Sequence, residues 1–242
     1  MLKLVEIHSH VLPYIDDGSK DLETSVEILN IYKDQGVTDV FATPHFLPME
    51  MTLEDFLKNR QESLELLKSA IAGEDYPTIH LGAEVYYFSG ISKSEDVKKL
   101  KLEGTDFILV ELPIDTLSDY MLTDIRNINN NLGLMPIIAH IERLYGQKGF
   151  KNLLKLFDSG DALAQVNASS FLNKSAFRIV KKLVKNGYVD FIASDTHAVE
   201  YRAPKIEEGL AAIKENFSED IYNRISENIS EKFFDFEKNY EN

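Results

Sequence analysis

Residues 2–10 run Leu-Lys-Leu-Val-Glu-Ile-His-Ser-His, and the first glycine comes only at Gly18. Residues 2–7 have the apolar character of a buried strand, so two imidazoles stand where that strand ends. A doubly wound nucleotide-binding sheet carries a glycine-rich turn at this place. Its absence favours the other closure open to a parallel α/β chain. That closure is a barrel, whose active site gathers at the carboxyl ends of the strands.

The rest of the chain repeats the alternation. Apolar or β-branched runs at 37–43, 78–85, 106–112, 134–139, 162–167 and 189–194 bring the strands to seven. Amphipathic runs at 21–35, 52–73, 117–130, 151–158 and 175–186 read as helices. Thr52 is placed to cap one of them, and Gly36, Gly73 and Gly187 to end three. A helix is expected from Lys205, with a second start at Ser218. Such alternation predicts a parallel sheet with right-handed crossovers. No linker, repeat or low-complexity stretch divides residues 1–242, so a single domain is expected. Residues 231–242 are acidic and aromatic (Phe233, Phe234, Phe236, Tyr240) and form a C-terminal tail that either docks on the body or serves a partner.

Composition narrows the chemistry. The 242 residues carry 26 Lys and Arg against 40 Asp and Glu, a formal charge of −14, which argues against a nucleic-acid partner. There is no cysteine, hence no disulfide, thiolate metal site or cysteine nucleophile. No signal-peptide pattern and no apolar run near the ~20 residues that span a bilayer is present, so a cytoplasmic protein without membrane insertion is expected.

The six histidines hold the main information. His8 and His10 follow the first strand, His45 the second, His140 the fifth and His197 the seventh; only His80 lies inside a strand run and reads as structural. Glu84, Glu111 and Asp195 end the third, fourth and seventh strands, and Asp16 and Asp17 lie in the loop after the first. Six of the seven strands thus deliver His, Asp or Glu to one rim. Imidazole and carboxylate without thiolate is a donor set for Zn, Mn, Fe or Co. His-x-His, and Asp195-x-His197, turn both side chains to one side of an extended segment. The count suits two or three ions sharing a bridging carboxylate. Asp16 and Asp17 are ligands or turn formers. Glu142 is readable as a local ion pair with Arg143. Arg143 and Arg202 either bind phosphate as planar forks or pair with a neighbouring acid.

His8-Ser9-His10, Ile15-Asp16-Asp17-Gly18, Ala42-Thr43-Pro44-His45, Gly82-Ala83-Glu84, Val110-Glu111-Leu112-Pro113, His140-Ile141-Glu142-Arg143 and Ser194-Asp195-Thr196-His197 together resemble the polymerase-and-histidinol-phosphatase (PHP) superfamily. Leu12–Ser19 tilts the likeness towards its bacterial manganese-dependent tyrosine-protein phosphatases, linked to capsule and exopolysaccharide synthesis. The resemblance implies a distorted (β/α)7 TIM-like barrel with three divalent metal ions, manganese first and Fe, Zn, Co or Mg as alternatives. Carried over residue by residue, it makes His8, His10, Asp17, His45, Glu84, Glu111, His140, Asp195 and His197 the ligands, with Glu84 bridging. Arg143 and Arg202 match phosphate-contacting arginines. The implied substrate is a phosphotyrosine protein, a tyrosine autokinase with a C-terminal tyrosine cluster.

On this reading hydroxide activated by the metals attacks phosphorus in line, and the leaving phenolate takes its proton from a metal-bound water or from a rim acid, Asp195 and His197 being nearby in sequence. Two rivals stand beside it. One is a histidinol-phosphate or other small phosphomonoester phosphatase of the same superfamily; the other is a non-catalytic metal- or phosphotyrosine-binding regulator. Lack of cysteine excludes Cys-x5-Arg phosphatase chemistry. Three divalent ions would add roughly +6 to the protein's charge.

Overall fold

The computed structural model describes residues 3–230 and 233–234. Among them, nine strands occupy the places of the seven expected: β1 Leu4–Ser9, β2 Val37–Ala42, β3 His45–Phe46, β4 Thr78–Leu81, β5 Glu84–Tyr86, β6 Phe107–Glu111, β7 Met135–Ile138, β8 Leu163–Asn167 and β9 Phe191–Ala193. All pairings between them are parallel. They form a three-stranded group β1-β2-β4 and a six-stranded group β3-β5-β6-β7-β8-β9. The result is a curled parallel sheet in a mixed α/β protein.

Two chain breaks account for the difference in strand number. Pro44 has no N–H to give a ladder and separates β2 from β3. Gly82 and Ala83 separate β4 from β5. A Cβ at Gly82 would meet the buried Leu102 side chain at 2.6 Å, which would have to shift to admit it. Gly82 N still donates to Ala42 O (2.9 Å) and Glu84 N to Pro44 O (3.1 Å), so the two broken strands stay side by side. Past the break, His45 lies in register with Glu84. The register of β2 with β4 thus carries through both breaks, and the two side chains meet, with His45 Nδ1 3.1 Å from Glu84 Oε2. On the far side, Asp195 N donates to His8 O (2.9 Å) and His10 N to Thr196 O (2.9 Å), joining the end of β9 to β1.

The helices lie where their periodicity predicts: α1 Leu22–Asp34, α2 Leu53–Ala70, α3 Asp119–Leu132, α4 Phe150–Asp158, α5 Lys174–Lys185, α6 Ile206–Asn216 and α7 Glu219–Asn228. Asp21, Thr52, Ser118 and Asn173 cap four of them through side-chain oxygens. The β5–β6 crossover is the exception, built from 3-10 turns at Ile91–Lys93 and Glu95–Leu100. α2 also braces the loop after β1, because Ser63 Oγ donates to Pro13 O at 2.6 Å.

The core is a continuous apolar cluster reaching from β1 to Phe233. Phe233 is fully buried and meets Phe41, Phe107 and Phe191 with ring centroids 5.3–5.8 Å apart. Phe107 and Phe191 begin their strands, so Phe233 seals the amino ends of the sheet, opposite the rim. Phe233 and Phe234 of the expected tail thus dock on the body; residues 231–232 and 235–242 lie outside the described residues. Phe233→Ala is expected to lose roughly 3–5 kcal/mol and to lower Tm by roughly 10 °C in a thermal melt. A shift under about 2 °C would contradict this packing.

Candidate metal centre

Glu84 sits at the middle of the rim, fully buried. Its Oε2 lies 3.1 Å from His8 Nε2, 3.2 Å from His10 Nε2 and 3.1 Å from His45 Nδ1, and its Oε1 lies 2.9 Å from His140 Nε2. Three groups of donor atoms converge around it: His8, His10, Glu84 and Asp195; His45, Glu84 and Glu111; and His10, Asp17, His45 and His197. Glu84 belongs to two of them. His140 adjoins the second group, with Nε2 3.6 Å from Glu111 Oε1. All nine residues named as ligands by resemblance are thus brought to one place.

The donors fit cations better than they fit one another. His8 Nε2 and His10 Nε2 face each other at 3.2 Å. Both cannot be protonated and bonded to each other; two lone pairs at that separation call for a cation between or beside them. Glu84 Oε2, His45 Nδ1 and His197 Nε2 are buried without a hydrogen-bond partner. The other nitrogens of three rings are already used. His10 Nδ1 bonds Asp16 Oδ2 (2.6 Å), His8 Nδ1 faces Gln165 Oε1 (3.3 Å) and His197 Nδ1 faces Asp195 O (3.1 Å). Each such bond selects the tautomer that leaves Nε2 open to a metal.

Electrostatics agree. Burial would lift the Glu84 carboxyl, yet His8, His10 and His140 hold it well below the usual carboxylate range. Burial would lower His10, but Asp16 and Glu84 raise it to about 10. Without metal, Glu84 is met by protons on imidazoles, and Asp195 by those and by two arginines. Burial and Glu84 push Asp195 up, but His8 and His10 push it down further, so it stays ionised. Burial, His10 and Arg202 lower His197 to about 4.

The two aspartates of the first loop divide their labour. Asp17 is 66% exposed and turns its Oδ1 to His197 (3.3 Å) and His45 (3.5 Å). Asp16 is turned inward and accepts from His45 N (3.0 Å) and Gly18 N (2.9 Å) besides His10. Gly18 is required because a Cβ there would overlap His10. Both arginines pair with Asp195: Arg143 Nη2 donates to Oδ2 and Arg202 Nη2 to Oδ1, each at 2.6 Å. Both also line a cleft of about 490 Å³ with Ile15, Leu47, Met51 and Tyr86. Glu142 departs from the ion pair expected with Arg143. It is buried and accepts from Asn167 N (3.1 Å) and Ser170 Oγ (2.8 Å) instead. His80 bonds Asp39 at 2.7 Å and stacks on Phe41.

β8 brings no ligand type to the rim, and sequence reading passed over it. It carries Gln165 and Asn167, two residues apart and so on one side of the strand. Gln165 Oε1 accepts from His140 N (2.8 Å), Gln165 Nε2 donates to Asn167 Oδ1 (2.9 Å), and Asn167 Nδ2 donates to Asp195 Oδ2 (2.8 Å). Alternating amides within an apolar strand were the available signal. Glu6, fully buried under His8, is a second residue of this kind. Burial lifts it to about 7 while it accepts from Ser194 N and His8 N. His140, Asp195 and Arg202 hold positive φ (33°, 53° and 56°), conformations that a non-glycine residue keeps only when its surroundings enforce them.

A parallel α/β sheet that gathers imidazoles, carboxylates and two guanidinium groups at the carboxyl ends of its strands defines a candidate metallohydrolase. The chain belongs to the CpsB/CapC family of capsular polysaccharide synthesis, whose family model matches residues 4–235. Tyrosine-protein phosphatase CpsB of Streptococcus agalactiae is 28% identical over 233 residues, 92% of this chain and 94% of the relative. A solved structure from work on YwqE of Bacillus subtilis and CpsB of Streptococcus pneumoniae, called unique metal-dependent tyrosine phosphatases, superposes with a TM-score of 0.80 at 26% identity, covering 93% of this chain and 92% of that one. Histidinol phosphate phosphatase of Lactococcus lactis, solved with zinc, L-histidinol and phosphate, shares the fold at a TM-score of 0.57 and 16% identity, over 90% of this chain and 95% of that one.

Two predictions follow from the donor arrangement. His10 at about 10 lies above its ordinary 6.5, so its proton stabilises metal-free protein below pH 6.5 and that contribution fades as pH rises towards 10. In chelator, Tm is expected to fall across this window, and restored divalent metal should flatten the curve; a flat metal-free curve would refute the cradle. Asp16→Asn removes the carboxylate that orients His10. It should weaken divalent-metal binding by roughly 10–100-fold in a competition titration.

Proposed function

We propose that this chain is a metal-dependent tyrosine-protein phosphatase that hydrolyses phosphotyrosine on a protein substrate. The observation that carries the reading is Glu84: a carboxylate buried among four imidazoles, one of which, His45, lines a cleft together with two arginines. In this reading the seven strand segments form a distorted (β/α)7 barrel in one domain, supported by the hydrogen bonds between the end of β9 and β1. Three divalent ions, manganese by first choice, occupy the three donor groups. His8, His10, Asp17, His45, Glu84, Glu111, His140, Asp195 and His197 hold them, and Glu84 is shared.

When bound, such ions supply Lewis acidity and lower the pKa of water to the neutral range. The chain's own groups do the rest. Arg143 and Arg202 approach Asp195 from two sides, and Arg143 remains 33% exposed towards the cleft. Their remaining N–H donors hold phosphoryl oxygens as planar forks while charge develops in the transition state. Asp195 stays ionised and His197 unprotonated at neutral pH, so neither holds a spare proton for the leaving phenolate. Their work is to hold metal and to hold the arginines. Ile15, Leu47, Met51 and Tyr86 offer an apolar wall to the phenyl ring.

The family description supports a link to capsular polysaccharide synthesis, and the named relatives support a phosphotyrosine protein as substrate; in this reading that protein is a tyrosine autokinase. Phosphotyrosine is written with ATP, so the cytoplasm is the compartment where it would be erased. No helix among the described residues is long and apolar enough to cross a membrane.

The test is turnover of a phosphotyrosine peptide with added Mn²⁺. His140→Ala should lower kcat by roughly a thousandfold with the fold intact, and Arg202→Ala should raise KM. Full activity in well-metallated His140→Ala would overturn the site. A kcat/KM for histidinol phosphate far above that for the peptide would transfer the enzyme to small-molecule phosphatases.

A further inference from the structure

The protein's negative charge is unevenly spread. Residues 143–188 hold nine Lys and Arg against two Asp, within a chain of net −14. Lys148, Lys151, Lys174, Arg178, Lys182 and Lys185 are exposed along α4, α5 and the loop before α4. Elsewhere on the surface lysines pair with acids, as Lys58 with Glu62, Lys99 with Asp96 and Lys205 with Glu208. Among the described residues none of these six forms such a pair.

The pattern runs against what a helix needs for its own stability. α5 contains no acidic residue. Lys174 and Arg178, and Arg178 and Lys182, are like charges four residues apart, which repel. Lys174 occupies the first turn, where the helix dipole disfavours a cation. The first turns of α1, α2, α3, α6 and α7 all carry acids, whereas those of α4 and α5 carry none. Repulsion of this kind is relieved by an anionic partner.

The basic face also adjoins the cleft. Tyr145 closes the 3-10 turn Ile141–Leu144 that carries Arg143. Cα atoms two residues apart lie within about 7 Å. Lys182 Nζ donates to Tyr145 Oη at 3.3 Å and stands 5.5 Å from its ring centroid. Tyr145 further lines a groove with Gln147, Phe150, Lys151 and Leu154. A continuous path therefore leads from Arg143 over Tyr145 to the exposed cations of α4 and α5.

Resting on the phosphatase reading, we propose that the α4–α5 face docks an acidic segment of the protein substrate, next to the phosphotyrosine held in the cleft. The rest of the molecule is acidic and repels such a segment, so attraction is confined to this face and sets its direction of approach.

The test compares two phosphotyrosine peptides, one flanked by several glutamates and one by glutamines, on the Mn²⁺-loaded full chain. At low ionic strength the acidic peptide is expected to have a roughly tenfold higher kcat/KM, vanishing at high salt. The combined variant Lys174→Gln, Arg178→Gln, Lys185→Gln should remove most of that preference; glutamine is a good helix former, so the exposed helix is retained. Parity of the two peptides on the unaltered protein, or a preference that survives the variant, would overturn the proposal. Charge-dependent binding to phosphatidylserine vesicles without any peptide preference would overturn it as well, by giving the face to a membrane. Failure of the phosphatase reading looks different, because then neither peptide is turned over.

Discussion

Everything at the rim follows from one buried negative charge. Glu84 has no solvent and, among the described residues, no lysine or arginine paired with it; it has four imidazoles. A buried carboxylate is tolerated only when its charge is met, and neutral imidazoles meet it only by taking protons or by sharing cations with it. The donor set, the facing lone pairs of His8 and His10 and the raised His10 proton affinity are consequences of that need. The sheet is bent to satisfy it. The register that pairs Ala42 with Leu81 carries through the breaks at Pro44 and Gly82, so His45 and Glu84 meet at the same level.

Around this charge the protein spends stability on precision. Among the described residues, three of the four non-glycine residues with positive φ are His140, Asp195 and Arg202. Such conformations carry about 1–3 kcal/mol of strain each, and the surrounding bonds must outweigh it. Gln165 and Asn167 do so from β8, linking the His140 backbone to the Asp195 carboxylate. Asp195 in turn fixes both guanidinium groups. The arginines are therefore in place before any phosphate arrives, which is the condition for electrostatic catalysis without reorganisation.

Much of this was legible in the sequence, and the limits have physical causes. Helix positions followed from apolar spacing and capping residues, and the rim followed from His, Asp and Glu recurring after strand-like runs. The strand breaks were not legible, because a strand of residues 78–85 and a pair kinked at Gly82 have the same alternation of side chains. Asp16 and Asp17 were inseparable by type; only the loop's fold turns one inward to His10 and leaves the other at the cleft. Glu142 and Arg143 are neighbours in sequence, yet the 3-10 turn sends them to different partners. Gln165 and Asn167 were missed because amides are less common ligands than imidazole and carboxylate, and positioning residues have no spacing rule of their own.

The seam between β1 and the end of the chain has a consequence for synthesis. The donors come from both extremities: His8 and His10 from β1, Asp195 and His197 from beyond β9. Val5 N donates to Ile229 O at 2.8 Å, and Phe233 seals the opposite end. A chain made only as far as β9 lacks the seal, the second flank of β1 and two of the donors. Such far-separated pairings form late and slowly. A chain not yet made past β9 therefore offers only part of the cradle, and the donor set is complete only when both flanks of β1 are paired.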